Sequence, residues 1–585
     1  MPLTGSQAAV VDSLARGLTV LVKAGPGTGK TRTFCSAIAR AAGELGCDTH
    51  KAVAALSFTN AAADEYADRI GSGVSSRHFV GTLDSFLLRF VVLPFGRALV
   101  KSERTLRLLP DPLDKHFDAG TVQISQNAGD RVALNSCILT GGTLEAPGVR
   151  VPKPGGGFRE VAPGYAFDVF KEKKRFWKRS GLMTHSDSQY LAARILADSI
   201  MGVTVADVVR GRFPYILLDE SQDTTYFEAK ALAILMDSDG VAGLIVGDLD
   251  QGIYEFAGSQ PEVFYAEILA TGRAVEKALE TTHRCPVSVC AVANALSFAG
   301  AAVDPIDGAS AGVCQMLVYG EGSSAKLREE IDALVDRSSS IAVVARSHSA
   351  LSIVQAAPSE TASTGSLVAD RLFQAVGILA AGEGRKAVQV ASTALAKCLL
   401  DTGYVTDAVL KSKGVDPQAW KTLVRRSLLK LHGVAVAGCT HAKWVDAAKV
   451  ECVGVGESLA LPTAVVGPKL RKNRAVADKP LPTVGARDIT RIAEAAKVGT
   501  VHSVKGQEYG TVVFLAPDSP SLGTDWFAER GVHGEEVRIA FVAATRVKET
   551  LVFCVSARAY DSLRTSCPEF VELFEVKVVQ PVEPD

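Results

Sequence analysis

Residues 18–31, LTVLVKAGPGTGKT, constrain the fold more than any other stretch of this chain. A short β-prone run passes into a glycine-rich loop, and Lys30 and Thr31 then open the helical stretch TRTFCSAIARAA. A strand that ends in such a loop and turns directly into a helix predicts an α/β fold built on a parallel sheet. The glycines let backbone N–H groups face an anion, the helix N-terminus adds its dipole, and a lysine at this position reaches terminal phosphates. The Thr31 hydroxyl is the expected Mg²⁺ ligand of the loop. Ala24 stands where the GxxxxGK[ST] pattern has its first glycine, a small departure.

A second stretch supplies matching acids. In YILLDESQDT (215–224), four apolar residues run into Asp219 and Glu220, with Gln222 and Asp223 close behind. Crowded carboxylates raise each other's cost of ionisation, so the cluster wants a cation. Beside a phosphate loop, Asp219 is expected to hold Mg²⁺, directly or through water, and Glu220 to accept a proton from an attacking water. Far more residues separate Lys30 from Asp219 than one or two crossover units need, which predicts a domain-sized insertion. The stretch from about 100 to 180, with AGTVQISQNAGD and PKPGGGF, is turn-rich and weakly periodic, as an insertion should be.

At 585 residues the chain exceeds a single core, and its composition, 47% apolar and 22% charged, is that of an ordinary globular protein. MPLTGSQAAVVDSLARG lacks a basic segment followed by an apolar one, and no uncharged apolar run reaches the ~18 residues of a membrane span. The expectation is a cytoplasmic protein with no membrane partner. Eleven cysteines without a CxxC pair read as buried free thiols of a reducing compartment. The net charge of −1 gives no sign of a nucleic-acid partner, but local patches decide that question. KEKKRFWKR (171–179), KLRKNR (469–474) and the group Lys421, Arg425, Arg426 and Lys430 are basic. Each reads alone as a solvated helix face or loop, and Phe176 and Trp177 tilt the first toward a nucleic-acid surface.

Further segments follow. DLDQGIYEFAGS (248–259) comes after the apolar run GLIVG, and LETTHRCPVSVCAVANAL (279–296) comes next. GTVHSVKGQEYGTVVFL (499–515) and EEVRIAFVAATRVKETLVF (535–553) bracket a strand and a helix, predicting a second α/β core.

Taken in order, these segments resemble the motifs of superfamily 1 DNA helicases of the UvrD/Rep/PcrA type. Gln7 leads, AGPGTGKT resembles the Walker A motif and LLDESQD the Walker B. LSFTNAAADEYADRI (56–70) resembles motif Ia and FVGTLDSF (79–86) motif Ib. VGDLDQGIYEF, LETTHRC, TVHSVKGQE and VRIAFVAATR resemble motifs III to VI, so the likeness runs from residue 7 to residue 546.

The resemblance implies two RecA-like P-loop cores with parallel sheets, each carrying an inserted, mostly helical accessory subdomain. The first core takes residues 1–98 and 181–278, with 99–180 inserted; the second takes 279–370 and 488–585, with a reduced insertion at 371–487. It implies ATP hydrolysis with Mg²⁺, coupled to 3′→5′ movement on single-stranded DNA or to unwinding of tailed double-stranded DNA. Lys30, Asp219, Glu220, Gln251, Arg284 and Arg546 take the catalytic positions, Gln251 sensing the γ-phosphate and the two arginines reaching it as arginine fingers. Ala24, Gly25, Pro26, Gly27, Thr28, Gly29, Lys30, Thr31 and Arg32 cradle the nucleotide, and Thr31 and Asp219 hold the metal. Gln7 reads adenine, Glu508 bonds the ribose, and Tyr254 and His283 lie near the base. The DNA positions are Phe58, Thr59, Asn60, Thr82, Phe256 and His502, whose aromatic members stack on any base.

There are departures. Ala61 stands where the family often has Lys, Asp84 where it has His, Ala257 where it has Arg and His283 where it has Tyr. The nucleotide set is thus nearly intact, whereas the DNA set has lost positive or hydrogen-bonding groups, so ATP hydrolysis is better supported than unwinding. The compact second insertion, the altered DNA motifs and FVGTLDSFLLRFVVLPFG also resemble helicase partners in bacterial anti-phage systems of the Gabija type. That likeness implies an alternative, a DNA-activated ATPase that serves as sensor or regulatory component beside a nuclease. A small-molecule kinase would leave Gln251, Arg284 and Arg546 without work.

Overall fold

The computed structural model describes residues 3–580 apart from 47, 71–76, 110–118, 128, 154–157, 255–257, 260, 299–301, 336–337, 339, 348–349, 354–365, 381–383, 403–404, 406, 436–438, 474–476, 480, 482–495 and 528–533. The chain divides into two units, Met1–Val318 with Thr500–Val578, and Tyr319–Gly499 with Val579–Asp585.

The first unit opens with helix α1 (Gly5–Ala15), strand β1 (Thr19–Ala24), helix α2 (Lys30–Leu45), β2 (Val53–Ser57), α3 (Asn60–Ile70) and β3 (Phe79–Thr82). Short strands β4 (Ile138–Gly142), β5 (Pro147–Pro152) and β6 (Phe158–Glu160) precede α4 (Pro163–Ser180) and α5 (His185–Leu196). The chain then returns through β7 (Tyr215–Leu218), β8 (Ala242–Gly247) and β9 (Ala274–Leu279). These complete a six-stranded sheet of order β9-β1-β8-β7-β2-β3, parallel throughout. Side chains alternate across a strand. Val20, Val22 and Ala24 of β1 pack with Val10, Leu14, Phe34 and Ile38 on one face. Leu21 joins Ile216, Ile245 and Phe264 on the other. With both faces covered, such a strand reads as a continuous apolar run, which is why LTVLVKA was recognisable.

The segment between β3 and β7 departs from the expectation of a mostly helical insertion. β4, β5 and β6 form an antiparallel three-stranded sheet, with Leu139 opposite Val149 and Val151 opposite Arg159. The β-branched Val149 and Val151 are fully buried, and a turn after Gly142 closes the first hairpin. The tilt that Phe176 and Trp177 lend KEKKRFWKR toward a nucleic-acid surface is also corrected. Val169, Phe170, Lys173, Phe176 and Trp177 form the buried stripe of α4. Trp177 Nε1 donates to Asp187 Oδ2 at 3.0 Å, and Lys173 Nζ pairs with Asp187 Oδ1 at 2.6 Å. The two aromatic rings are core, so only Lys171, Lys174, Arg175, Lys178 and Arg179 face outward.

Later in the same unit, β10 (Val313–Tyr319), β11 (Tyr509–Leu515), helix α6 (Gly534–Ala544), β12 (Val547–Ser556) and β13 (Glu575–Val579) follow. Their order is β11-β12-β10-β13, and β11 runs parallel to β12 with Val513 opposite Val552. The fold class is therefore α/β with two parallel-sheet cores, as expected.

In the second unit, strands Ile341–Ala345 and Ala496–Thr500 are neighbours. Helices Leu367–Ala380, Gly384–Leu399, Pro417–Val434 and His441–Ser458 close around Trp420 and Trp444. Trp444 Nε1 donates to Ala369 O at 3.0 Å and Trp420 Nε1 to Ser392 Oγ at 2.8 Å, so both indoles are buried without an orphaned donor. Lys421, Arg425, Arg426 and Lys430 lie on the exposed face of Pro417–Val434. Lys430 pairs with Glu451 and Lys472 with Asp446. Arg474, the last residue of KLRKNR, lies outside the described residues. No helix among the described residues is long and apolar enough to cross a membrane. The described cysteines are free thiols, and all but Cys35 are buried.

Candidate nucleotide site and its nucleic-acid face

The loop after β1 turns through Gly27 (φ 72°) and Gly29 (φ 82°), a left-handed backbone that glycine adopts without steric cost. A side chain at either would collide. A Cβ on Gly27 would lie 2.5 Å from Thr282 Oγ1 and 2.6 Å from the Arg284 Cβ, and one on Gly29 would lie 2.5 Å from Gln7 Nε2. Gln7 is buried, completes a capping box with Thr4 and donates from Nε2 to Thr28 O at 3.0 Å. Thr28 Oγ1 donates to Gly25 O at 2.8 Å, which tightens the loop. Lys30 Nζ donates to Ala24 O and Gly25 O, both at 3.1 Å, and lies 4.0 Å from Asp248 Oδ2. Pro26 is buried, while Thr31 and Arg32 are half-buried on the first turn of α2.

Asp219 and Glu220 end β7 beside β2, where Asp219 N donates to Leu56 O at 3.0 Å. Asp219 is buried; its Oδ1 accepts from Glu220 N at 2.9 Å, and its Oδ2 accepts from the hydroxyl of Tyr66. Burial, and then the charge of Glu220, push the Asp219 carboxyl up to about 6. Asp248, at the end of β8, is raised to about 6 by burial, and Asp223 to about 7. Glu220 differs. Burial raises it, but Lys505, Lys30, Gln222 and Arg546 together hold it below the usual carboxylate range. Glu220 adopts φ 54°, an uncommon conformation for a side-chain-bearing residue, and accepts from Gln222 Nε2.

The two arginines converge on the same place. His283 N donates to Gly27 O at 2.9 Å, which sets the segment carrying Arg284 against the phosphate loop. Arg284 Nη1 donates to Thr545 O at 3.0 Å. Arg546 is buried; its Nη2 donates to Gln251 Oε1 at 2.6 Å, and Gln251 Nε2 donates to Asp248 Oδ2 at 2.6 Å. Arg546, Gln251, Asp248 and Lys30 thus form one chain of contacts. Burial and the nearby Arg284 lower Arg546 to about 10, so it stays charged.

Glu508 and Tyr254 each have protein partners beside the crevice. Glu508, expected at the ribose, pairs with Arg284 and with Lys548 Nζ at 2.9 Å. Tyr254, expected near adenine, packs against Phe58 (centroids 5.4 Å apart) and His502 (5.6 Å). Its ring thus touches two of the side chains that the resemblance places on DNA. Lys505, in the motif V segment but unassigned from sequence, joins the two regions. Its Nζ lies 4.8 Å from the Tyr254 centroid and donates to Asp223 Oδ2 at 2.5 Å and Gln251 O at 3.1 Å.

Phe58 is 36% exposed and borders a cavity of about 340 Å³ that His185, Gln189, Asp223 and Tyr226 also line. Thr59 Oγ1 accepts from Ala62 N, Asn60 opens α3, and Thr82 Oγ1 caps the next helix through Ser85 N at 3.2 Å. Asp84, the departure from histidine, pairs with the Nδ1 of another histidine, His185, at 2.6 Å. Phe256 and Ala257 lie outside the described residues. Tyr66 and Lys505 both stood in quoted segments, but nothing in either segment marks them, because their partners are brought to them only by tertiary folding.

The donor set suits Mg²⁺. Among the described residues no three metal-ligating side chains converge. Mg²⁺ typically takes one or two protein carboxylates and completes its shell with phosphate oxygens and water. Asp219, buried beside another acid and raised by it, is an acceptor that a cation would relieve.

A family profile described as an AAA domain matches residues 7–257. Over 249 residues the chain is 28% identical to the Gabija protein GajB of Bacillus cereus, covering 42% of this chain and 40% of that protein. It is 28% identical over 291 residues to DNA helicase II of Haemophilus influenzae, 47% of this chain and 38% of the other. Over 100 residues it is 38% identical to an ATP-dependent helicase/nuclease protein of Staphylococcus saprophyticus, 17% of this chain and 8% of that one. The matches span two-fifths or less of these curated relatives. The chain is similar to UvrD/Rep-type superfamily 1 helicases and, within that likeness, to a Gabija protein.

Proposed function

We propose that this UvrD/Rep-like chain is an ATP hydrolase that couples phosphate cleavage to 3′→5′ movement on single-stranded DNA in the cytoplasm, displacing the strand of a tailed duplex. The observation that carries the reading is the buried hydrogen bond from Arg546 to Gln251. It brings a guanidinium from the C-terminal core to the acids beside the phosphate loop, so one crevice is served by both. Loop N–H groups and Lys30 hold the phosphates, and Gln7 fixes the loop from behind. Glu220, kept ionised by its basic neighbours, takes the proton of the attacking water, which Gln251 orients. Arg284 and Arg546 stabilise charge on the transferred phosphoryl group. Thr31 and Asp219 would hold Mg²⁺, which when bound draws charge from the phosphate oxygens.

The division into two cores with insertions at 99–180 and 371–487 belongs to the same proposal. So does a DNA face of Phe58, Thr59, Asn60, Thr82 and His502, to which Tyr254 is added. Loss of the phosphates would change the grip of the arginines and, through Lys505, the aromatic set.

One observation favours a second reading, a DNA-activated ATPase working as sensor beside a nuclease. Asp223 lines the cavity beside Phe58, and Asp84 lies against its lining residue His185. The described residues that line this cavity include no Lys or Arg to hold a phosphate backbone, which would weaken a processive grip. The names of two relatives, a Gabija protein and a helicase/nuclease protein, support the same reading.

Strand displacement with 3′- and 5′-tailed duplexes, run beside ATP hydrolysis with and without single-stranded DNA, separates the two. Displacement from 3′ tails alone is expected. DNA-stimulated hydrolysis without displacement would favour the sensor. Lys30→Ala and Glu220→Ala should each abolish turnover, and hydrolysis surviving in both would refute the site.

A further inference from the structure

Tyr66 donates its hydroxyl to Asp219 Oδ2, while Glu220 N donates to Oδ1, so among the described residues each carboxylate oxygen has one fixed donor. Tyr66 is buried, and its ring packs on Phe34 of α2 with centroids 5.0 Å apart. It lies on α3, the helix that begins at Asn60 directly after Phe58 and Thr59. The same β2–α3 segment touches the acid twice, through Leu56 O on the backbone of Asp219 and through Tyr66 on its side chain. Exposed Phe58 sits between these two anchors, in ring contact with Tyr254.

We infer that Tyr66 is a positioning residue: its hydroxyl holds the plane of the Asp219 carboxylate for a divalent cation and ties that acid to the turn carrying Phe58. The inference rests on the proposed nucleotide site. A carboxylate with one donor per oxygen keeps a lone pair on each for a cation or its water, but cannot rotate about its last bond. With the hydroxyl gone, Oδ2 loses the one donor it has among the described residues, and the acid is free to turn toward Lys30. Partners of this kind around metal ligands typically contribute about 10–100-fold in metal affinity. Since α3 starts two residues after Phe58 and carries Tyr66, a shift of Phe58 on a base would reach the metal acid through the turn and the first two turns of that helix.

The test uses the full chain with Mn²⁺ and a non-hydrolysable ATP analogue, read by electron paramagnetic resonance. Tyr66→Phe, which keeps the ring on Phe34, should bind the analogue in EDTA as the parent does but take up Mn²⁺ about tenfold or more weakly. Its metal requirement for hydrolysis should rise, with a smaller change in kcat at saturating metal. Single-stranded DNA should tighten Mn²⁺ in the parent and not in Tyr66→Phe. Tyr66→Met, which removes ring and hydroxyl, should weaken Mn²⁺ by a similar factor; weakening in Met alone would assign the effect to packing and overturn the inference. Unchanged Mn²⁺ affinity in Tyr66→Phe, with loss in Asp219→Asn, would also overturn it. If the parent itself takes up no Mn²⁺ with the analogue, the nucleotide reading fails and takes this one with it.

Discussion

Asp219 places a carboxylate where bulk water cannot solvate it, and the consequence is a pH dependence of definite sign. Its pKa is about 6 in the fold against roughly 3.9 for an unperturbed aspartate. The folded state holds the proton more tightly, so the stability this residue contributes is greatest at low pH and is lost as pH rises from about 4 to about 6. In buffer free of metal and nucleotide, Asp219→Asn should therefore stabilise the protein at pH 7.5, by on the order of 1–3 kcal/mol. The gain should shrink as pH falls toward 4.5, as urea unfolding of the variant and parent would measure. Glu220, held below the usual range, has the opposite sign, its contribution fading only as the protein is acidified through its lowered pKa. Two adjacent carboxylates are thus driven apart by where the lysines and arginines stand. The sequence predicted that the acids would be crowded, but not which of them would yield.

Helix α4 shows why an element can be misread while its neighbours are not. Its buried positions 169, 170, 173, 176 and 177 follow a helical stripe, yet six basic residues in nine make the segment look like surface. The stripe includes Lys173, whose ammonium is neutralised by Asp187, a partner no local pattern reveals. Lys173→Ala leaves that acid buried with only neutral donors and should cost about 3–5 kcal/mol. Lys174→Ala and Arg175→Ala, on the outer face, should stay within about 0.5 kcal/mol in the same urea titrations. β1 and α2 were legible because both faces of the strand are apolar and the glycine loop punctuates them. β4 to β6 were not, because strands of three to six residues leave too short an alternation to read. Contacts closed by tertiary folding, Tyr254 on Phe58 and Glu508 on Arg284, lay beyond any local pattern.

Across the whole molecule, residues 295 positions apart meet in one hydrogen bond, Arg546 to Gln251. Lysine at 546 would keep a charge but lose the planar fork that can hold Gln251 and a phosphate oxygen together. Arg546→Lys should therefore lower kcat by about 10³-fold or more while leaving the affinity for single-stranded DNA near that of the parent, measured by steady-state hydrolysis and fluorescence anisotropy. The two guanidinium groups are not mounted alike. β9 lies beside β1 with Leu279 opposite Ala24, Gly25 N donates to Leu279 O, and His283 N donates to Gly27 O. The backbone around Arg284 is thereby held beside the strand that feeds the phosphate loop, while its guanidinium holds Thr545 O and Glu508. Arg546 meets Gln251 through its side chain, with Lys505 beside it on Asp223 and Gln251 O. On the proposed reading, a backbone-held tooth and a tooth held only by side chains would make a pawl, with its stroke set at the second.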